Sequence, residues 1–239
     1  MKHKQTQILL LSLILLLLFL ASSCVVTEQL SFHDSGYNNS DFDFTVEDFF
    51  IAVLEDFSEF VPDNQDSSLM DSAITDFDRA LRYSSTTNNV NIQKLTGNAY
   101  EGQFNFMNLD KLFSDLGAGN DQSLLIQSNN TLTFNLSMDN YDQLVPVIPF
   151  LADENFEAFG PVYNQGLNES DYLEMISFML GEEGPPAIEK STITLRIATP
   201  KPITGFINGK KVGASLYEFS FPLIDFLLLS EPITFSVSW

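Results

Sequence analysis

Apolar residues recur along this chain with two periods, and the switches between them mark out its elements. From Val25 to Phe32 apolar and polar side chains alternate well enough for a strand, and Asp34-Ser35-Gly36 reads as a turn. Phe42, Phe44 and Val46 alternate on the far side, which predicts a returning strand and an N-terminal hairpin. The period then lengthens. Thr45 can cap a helix whose apolar stripe runs through Phe50, Val53, Leu54, Phe57, Phe60 and Val61 to Pro62, and Glu47 and Asp48 suit the positive end of its dipole. A loop at Asp63–Ser67 leads to a second helical stripe over Leu69–Leu81.

Beyond a polar linker at Ser84–Asn89, strands are predicted at Val90–Leu95 and Tyr100–Phe106 around the turn Thr96-Gly97-Asn98. A short helix, Leu109–Leu116, ends at Gly117. Leu124–Gln127 and Thr131–Met138 form a hairpin around Asn129-Asn130. Tyr141–Leu151 is broken by Pro146 and Pro149, and Ala152–Gly166, rich in aromatics, Gly and Pro, reads as a long insertion loop. Asn168 caps a helix over Tyr172–Leu180 that Gly181 stops. Glu182–Pro186 is read as a loop and Thr192–Ala198 as a strand. Ile203–Ile207 and Leu216–Phe221 flank an Asn208-Gly209 turn, and Ile233–Trp239 closes the chain with Ile233, Phe235, Val237 and Trp239 on one face. Hairpins dominate. The expected fold class is α+β, an antiparallel or mixed sheet built from hairpins with several helices packed on one side.

The N-terminus follows a different logic. Lys2 and Lys4 precede an apolar run, Ile8–Ala21, interrupted only by Ser12; small residues and Cys24 follow. That is the pattern of a secretory signal peptide, and the run is short for a transmembrane helix, which needs about 20 apolar residues. Cys24 is the chain's one cysteine and stands where a signal peptidase would cut. Leu20-Ala21-Ser22-Ser23-Cys24 resembles a bacterial lipobox, with Leu one place earlier than usual. The resemblance implies a diacylglyceryl thioether on Cys24, a palmitate-type lipid anchor. Two acyl chains at about 0.8 kcal/mol per buried CH₂ hold a protein where one chain holds only marginally. Residues 1–23 are thus expected to be a lipoprotein signal peptide, and 24–239 a single envelope domain anchored to a bacterial membrane, facing the periplasm or the surface. Phe219–Leu229 is apolar but short and contains Pro222 and Asp225, so it reads as a buried edge element.

Charge narrows the function classes. Lys+Arg number 11 against 32 Asp+Glu, a net −21 that deepens once Lys2 and Lys4 leave. A nucleic-acid partner is excluded, because phosphate needs a basic footprint. The acids read chiefly as a solvated face that holds an anchored protein off anionic lipid. One Cys forbids a disulfide within the chain. His33 is the one histidine left after a signal is removed, and no Gly-x-Ser-x-Gly elbow, phosphate loop or dinucleotide fingerprint occurs. Asp34, Asn38, Asn39, Asp41 and Asp43 form one oxygen-rich group and Asp63, Asp66 and Asp71 another; neither meets EF-hand spacing, and turn and cap roles explain them. No catalytic residue, metal ligand or cofactor is therefore assigned.

Three stretches carry a resemblance to a known family. Cys24-Val25-Val26-Thr27-Glu28-Gln29-Leu30-Ser31-Phe32 followed by Asp34-Ser35-Gly36 resembles the start of the LppM-like bacterial lipoprotein domain. Tyr100-Glu101-Gly102-Gln103-Phe104-Asn105-Phe106 with Leu109-Asp110-Lys111-Leu112 is similar to its middle. Thr194-Leu195-Arg196-Ile197-Ala198-Thr199-Pro200 with Ile203, Asn208-Gly209 and Phe219-Ser220-Phe221-Pro222-Leu223 is similar to its end. The resemblance implies an α+β envelope domain without known catalytic residues and, at most, a lipid-type ligand. The chain departs from it in the Ala152–Gly166 stretch and in lacking the C-terminal transmembrane helix of some members. The expected role is non-catalytic: binding or envelope structure, with a membrane reached through the lipid anchor and an envelope protein as partner. The alternatives left open are a carrier or sensor of an apolar small molecule, motivated by the 22 Phe residues, and a hydrolase using paired carboxylates.

Overall fold

The computed structural model describes residues 25–52 and 69–239. The predicted signal, Cys24, most of the first predicted helix, and Asp63 and Asp66 lie outside them. Helical backbone begins at residues 48–52.

The period-two stretches are strands. β1 (Val25–Ser31) and β2 (Asn38–Thr45) pair antiparallel around Gly36, whose φ of 86° suits a residue without a Cβ. α1 (Leu69–Tyr83) buries Met70 and Leu81, and Phe77 meets Phe42 edge-on with ring centroids 5.9 Å apart. β3 (Thr87–Lys94) and β4 (Ala99–Phe106) follow as a hairpin. β3 starts inside the expected polar linker. It is an edge strand, and the added residues Thr87, Asn88 and Asn89 are all polar, so no apolar alternation announces its start. α2 (Leu109–Asp115) is capped by Asn108, whose side chain accepts from Lys111 N at 2.7 Å. β5 (Leu125–Ser128) and β6 (Thr131–Leu136) turn at Asn129, φ 52°.

A helical region comes next: α3 (Tyr141–Leu144), a 3₁₀ turn (Pro149–Ala152), α4 (Glu154–Glu157), α5 (Glu169–Leu180) and α6 (Gly184–Lys190). The expected insertion loop carries α4 and sends Phe156 and Phe159 into the core, where both pack against Phe50. Buried Asn164 donates to Phe159 O at 2.8 Å and Leu227 O at 3.1 Å, tying the stretch down. The expected loop at 182–186 instead opens α6. Pro185 and Pro186 occupy its first turn, where a missing N–H leaves no bond unmade. A Cβ at Gly184 would lie 2.8 Å from Ile176 Cγ2, so glycine lets α6 close on α5.

β7 (Thr192–Ala198), β8 (Gly205–Ile207), β9 (Lys210–Lys211), β10 (Leu216–Pro222), α7 (Leu223–Leu228) and β11 (Ile233–Ser238) complete the chain. Besides the helical residues 48–52, the described residues hold seven α-helices and eleven strands, an α+β fold. The strands form a seven-stranded sheet, order β3-β4-β2-β1-β7-β10-β9, and a four-stranded sheet, order β5-β6-β11-β8. β1 and β7 pair in parallel and join the two halves of the large sheet; its other neighbours are antiparallel. Asn208-Gly209 does not close the simple hairpin expected of it. β8 pairs with β11 in the small sheet and β9 with β10 in the large one, so the turn passes the chain between sheets. Both residues have positive φ, 57° and 61°, and a Cβ at Gly209 would collide with Tyr217.

The small sheet packs on the inner face of the large one. Phe235 of β11 lies 5.3 Å, ring to ring, from both Tyr217 and Phe219, and Trp239 stacks on Phe32 at 5.8 Å. Ile233, Phe235, Val237 and Trp239 are all buried, as their spacing predicts. Phe219–Leu229 divides between β10 and buried α7; no helix among the described residues is long and apolar enough to cross a membrane.

Candidate functional site: the outer face of the large sheet

Register sorts the polar residues of the large sheet into rungs on the face turned away from the core. The middle rung runs Asn91, Gln103, Asp41, Gln29, Arg196, Glu218 and Lys210, one residue from each strand in order. One pair of residues along, Gln93, Glu101, Asp43, Thr27, Thr194 and Ser220 make a second rung. Here Gln93 donates to Glu101, and the hydroxyls of Thr194 and Ser220 lie 2.9 Å apart. The third rung is amide on amide: Asn39 Nδ2 donates to Asn105 Oδ1, Asn105 Nδ2 to Asn88 Oδ1 at 2.9 Å, and His33 Nε2 lies 2.8 Å from Asn39 Oδ1.

The β3–β4–β2–β1–β7 side of this face is concave. The hollow has a volume of about 410 Å³ and is lined by the amides of Gln29, Asn91, Gln93 and Gln103, the hydroxyl of Thr27, the carboxylates of Asp41, Asp43 and Glu101, and Arg196. The guanidinium is already engaged: Arg196 Nε and Lys210 Nζ each reach Glu218 at 2.9 Å. Those hydrogen bonds, Lys210's first, hold the Glu218 carboxyl below its usual range. The hollow therefore carries an excess of negative charge among many neutral donors and acceptors. It can pair with amide, hydroxyl or amino groups, and it disfavours anions.

The inner face of the same strands holds the opposite arrangement. Val26, Leu30, Phe42, Leu195 and Phe219 are half-buried there, and a Cβ at Gly102 would collide with the ring of Phe42 lying over it. Among them is one acid, Glu28, on the central strand. Buried Ser40 donates its hydroxyl to Glu28 Oε1 at 2.8 Å. Removal from water pushes the Glu28 carboxyl up to about 8; the Ser40 hydrogen bond opposes the shift, and the charges of Asp41 and Asp43 add to it. At neutral pH this carboxyl is mostly protonated. Sequence reading missed it: spacing by two places Glu28 on the face of Val26, Leu30 and Phe32, but the strand alone does not show that this face is withdrawn from water.

No family model matches the sequence, and no curated protein matches it. A solved structure does. The chain is similar to the NMR structure of the folded domain of LppM from Mycobacterium tuberculosis. The alignment covers 90% of this chain and 89% of that one at 9% identity, with a TM-score of 0.38.

The oxygen-rich group around the first hairpin is dispersed. Asn38 Oδ1 accepts from His33 N at 3.0 Å, Asn39 belongs to the amide rung, Asp34 faces Lys201 at 3.5 Å, and Asp41 and Asp43 line the hollow. Of the second group, Asp71 pairs with Lys94 at 2.9 Å and accepts from Tyr100 OH at 2.7 Å. Among the described residues no three His, Cys, Asp or Glu side chains are arranged to hold a metal ion.

Proposed function

We propose that this chain is a lipid-anchored protein of a bacterial cell envelope, attached through Cys24, whose domain binds a partner rather than catalysing a reaction. The observation that supports this reading is the outer-face hollow: an open, amide-rich, acidic hollow of about 410 Å³ built on five neighbouring strands, β3, β4, β2, β1 and β7. It suits an envelope protein that presents amide, hydroxyl or amino groups. A photocrosslinking residue placed at Gln103 in intact cells tests it. The expected result is a discrete adduct heavier than the monomer, absent when the label sits at Glu174 on exposed helix surface. Recovery of monomer alone from position 103 would count against the reading.

A second reading has its own support. It is the carrier or sensor of an apolar ligand, and the residue that favours it is Glu28, a protonatable carboxyl among apolar residues on the half-buried inner face that could pair with the polar group of such a molecule. Native mass spectrometry of protein extracted from cells, before and after delipidation, tests it. A ligand mass lost on delipidation, and lost from Glu28→Leu, is expected; identical masses throughout reject it.

A further inference from the structure

β1 is the fourth of the seven strands of the large sheet, and its first residue is already paired on both sides, Val25 with Thr45 of β2 and with Thr192 of β7. Cys24 directly precedes it. A single peptide unit, about 3.8 Å between Cα atoms, separates the thiol-bearing residue from backbone held in the middle of a sheet. An acyl group on Cys24 would join bilayer and sheet without a tether, beneath the sheet's centre rather than at a corner.

That singles out one end of the sheet. The row of Val25 also ends β2 at Thr45, opens β4 at Ala99, opens β7 at Thr192 and ends β10 at Pro222. The β3–β4 turn closes over this end: Leu95 N donates to Ala99 O at 2.8 Å and Val46 N to Asn98 O at 3.2 Å. Leu95 and Val25 expose 49% and 41% of their surface there. The opposite end carries Phe32 with Trp239 and, just past β4, Met107. β4 has 8 residues, which at about 3.4 Å each separates the two ends by roughly 27 Å. Acids outnumber unengaged cations at the near end: Glu47 and Asp48 lie beside the turn, Lys94 is engaged by Asp71, and the exposed Lys190 just before Thr192 follows Glu189. Contact would depend on the acyl chains.

We infer that this end of the large sheet, with Leu95 at its tip, rests on the headgroup layer of the bilayer, and that β1 runs away from the membrane. The inference rests on the acylation of Cys24. It leaves the outer-face hollow opening sideways, parallel to the membrane.

Once Cys24 carries a thioether the chain has no free thiol, so Leu95→Cys and Met107→Cys each create one labelling site, both at exposed positions. Spin labels on the two acylated variants in phosphatidylcholine vesicles report collisions with membrane-dissolved oxygen and with an aqueous nickel chelate. The expected oxygen-to-nickel ratio is severalfold higher at 95 than at 107. Equal ratios, or a higher one at 107, overturn the inference when the N-terminal peptide shows the acyl mass. A peptide without that mass overturns the reading of Cys24 and the inference with it. A Cys24→Ser chain labelled at 95 should lose the oxygen signal; retention would show contact that owes nothing to the anchor and would also overturn it.

Discussion

The two faces of the large sheet are made by the same strands, often by adjacent residues, and they differ in almost every physical respect. Inward, Tyr217, Phe219 and Phe42 pack against Phe235 and Phe77. Outward, Gln29, Asp41, Gln103 and Arg196 form rungs of amides and charges. The inner face supplies stability through apolar burial; the outer face is nearly free of that duty and available for recognition. Glu28 is the exception that sharpens the contrast, an outer-type residue on the inner face.

The contrast breaks if side chains on the two faces have similar effects. Phe235→Ala should have the largest effect, a loss of about 3–5 kcal/mol in denaturant unfolding, because Phe235 is buried against three aromatic rings. An effect under 1 kcal/mol would dissolve the claim that the two sheets share one core.

Next comes Glu28→Gln, read against pH. Because the folded carboxyl titrates near 8, above its ordinary 4.5, the folded state binds the extra proton between those values. Wild-type stability should therefore fall as pH rises from about 4.5 to about 8 and level off above, at up to about 1.4 kcal/mol per pH unit. Glu47 and Asp225 are also shifted upward by burial and push in the same direction, so the informative quantity is the difference between variant and wild type. That difference should grow with pH in favour of Gln. A constant difference from pH 4 to 9 would mean that Glu28 is not held protonated by the inner face.

Smaller effects belong outside. Arg196→Ala removes one of two cations on Glu218 and should cost about 0.5–1 kcal/mol, less in 1 M salt, because exposed ion pairs are screened. Gln103→Ala should change stability by less than about 0.5 kcal/mol while removing a donor and an acceptor from the hollow. Thermal melts together with adduct formation from a label at Gln93 separate the two: an unfolded Gln103→Ala would assign the outer face to stability instead of binding.

Much of the chain's local grammar was readable in advance, because strands, caps and turns depend on residues one to four positions apart. The alternation of Phe42 and Phe44, the cap Asn168 and the stop at Gly181 belong to this class. Misreadings arose where burial or pairing comes from distant segments. Thr87 and Asn88 form a strand because β4 supplies the partner, and Phe156 and Phe159 are core because Phe50 meets them and Asn164 ties the stretch to α7. The candidate site was almost invisible for the same reason. Asn91, Gln103, Asp41, Gln29 and Arg196 are scattered polar residues in the linear chain and become one rung only when register is set.

By itself, then, the sequence determined which segments alternate, where they cap and turn, how acidic the chain is, and the lipobox-like setting of Cys24. The tertiary structure decided the parallel union of β1 with β7, the passage of residues 208–209 between sheets, the burial of Glu28 on the inner face, and the gathering of amides and acids into one hollow. Periodicity is a property of neighbours in the chain, whereas pairing, desolvation and field are set by whatever the rest of the fold brings alongside.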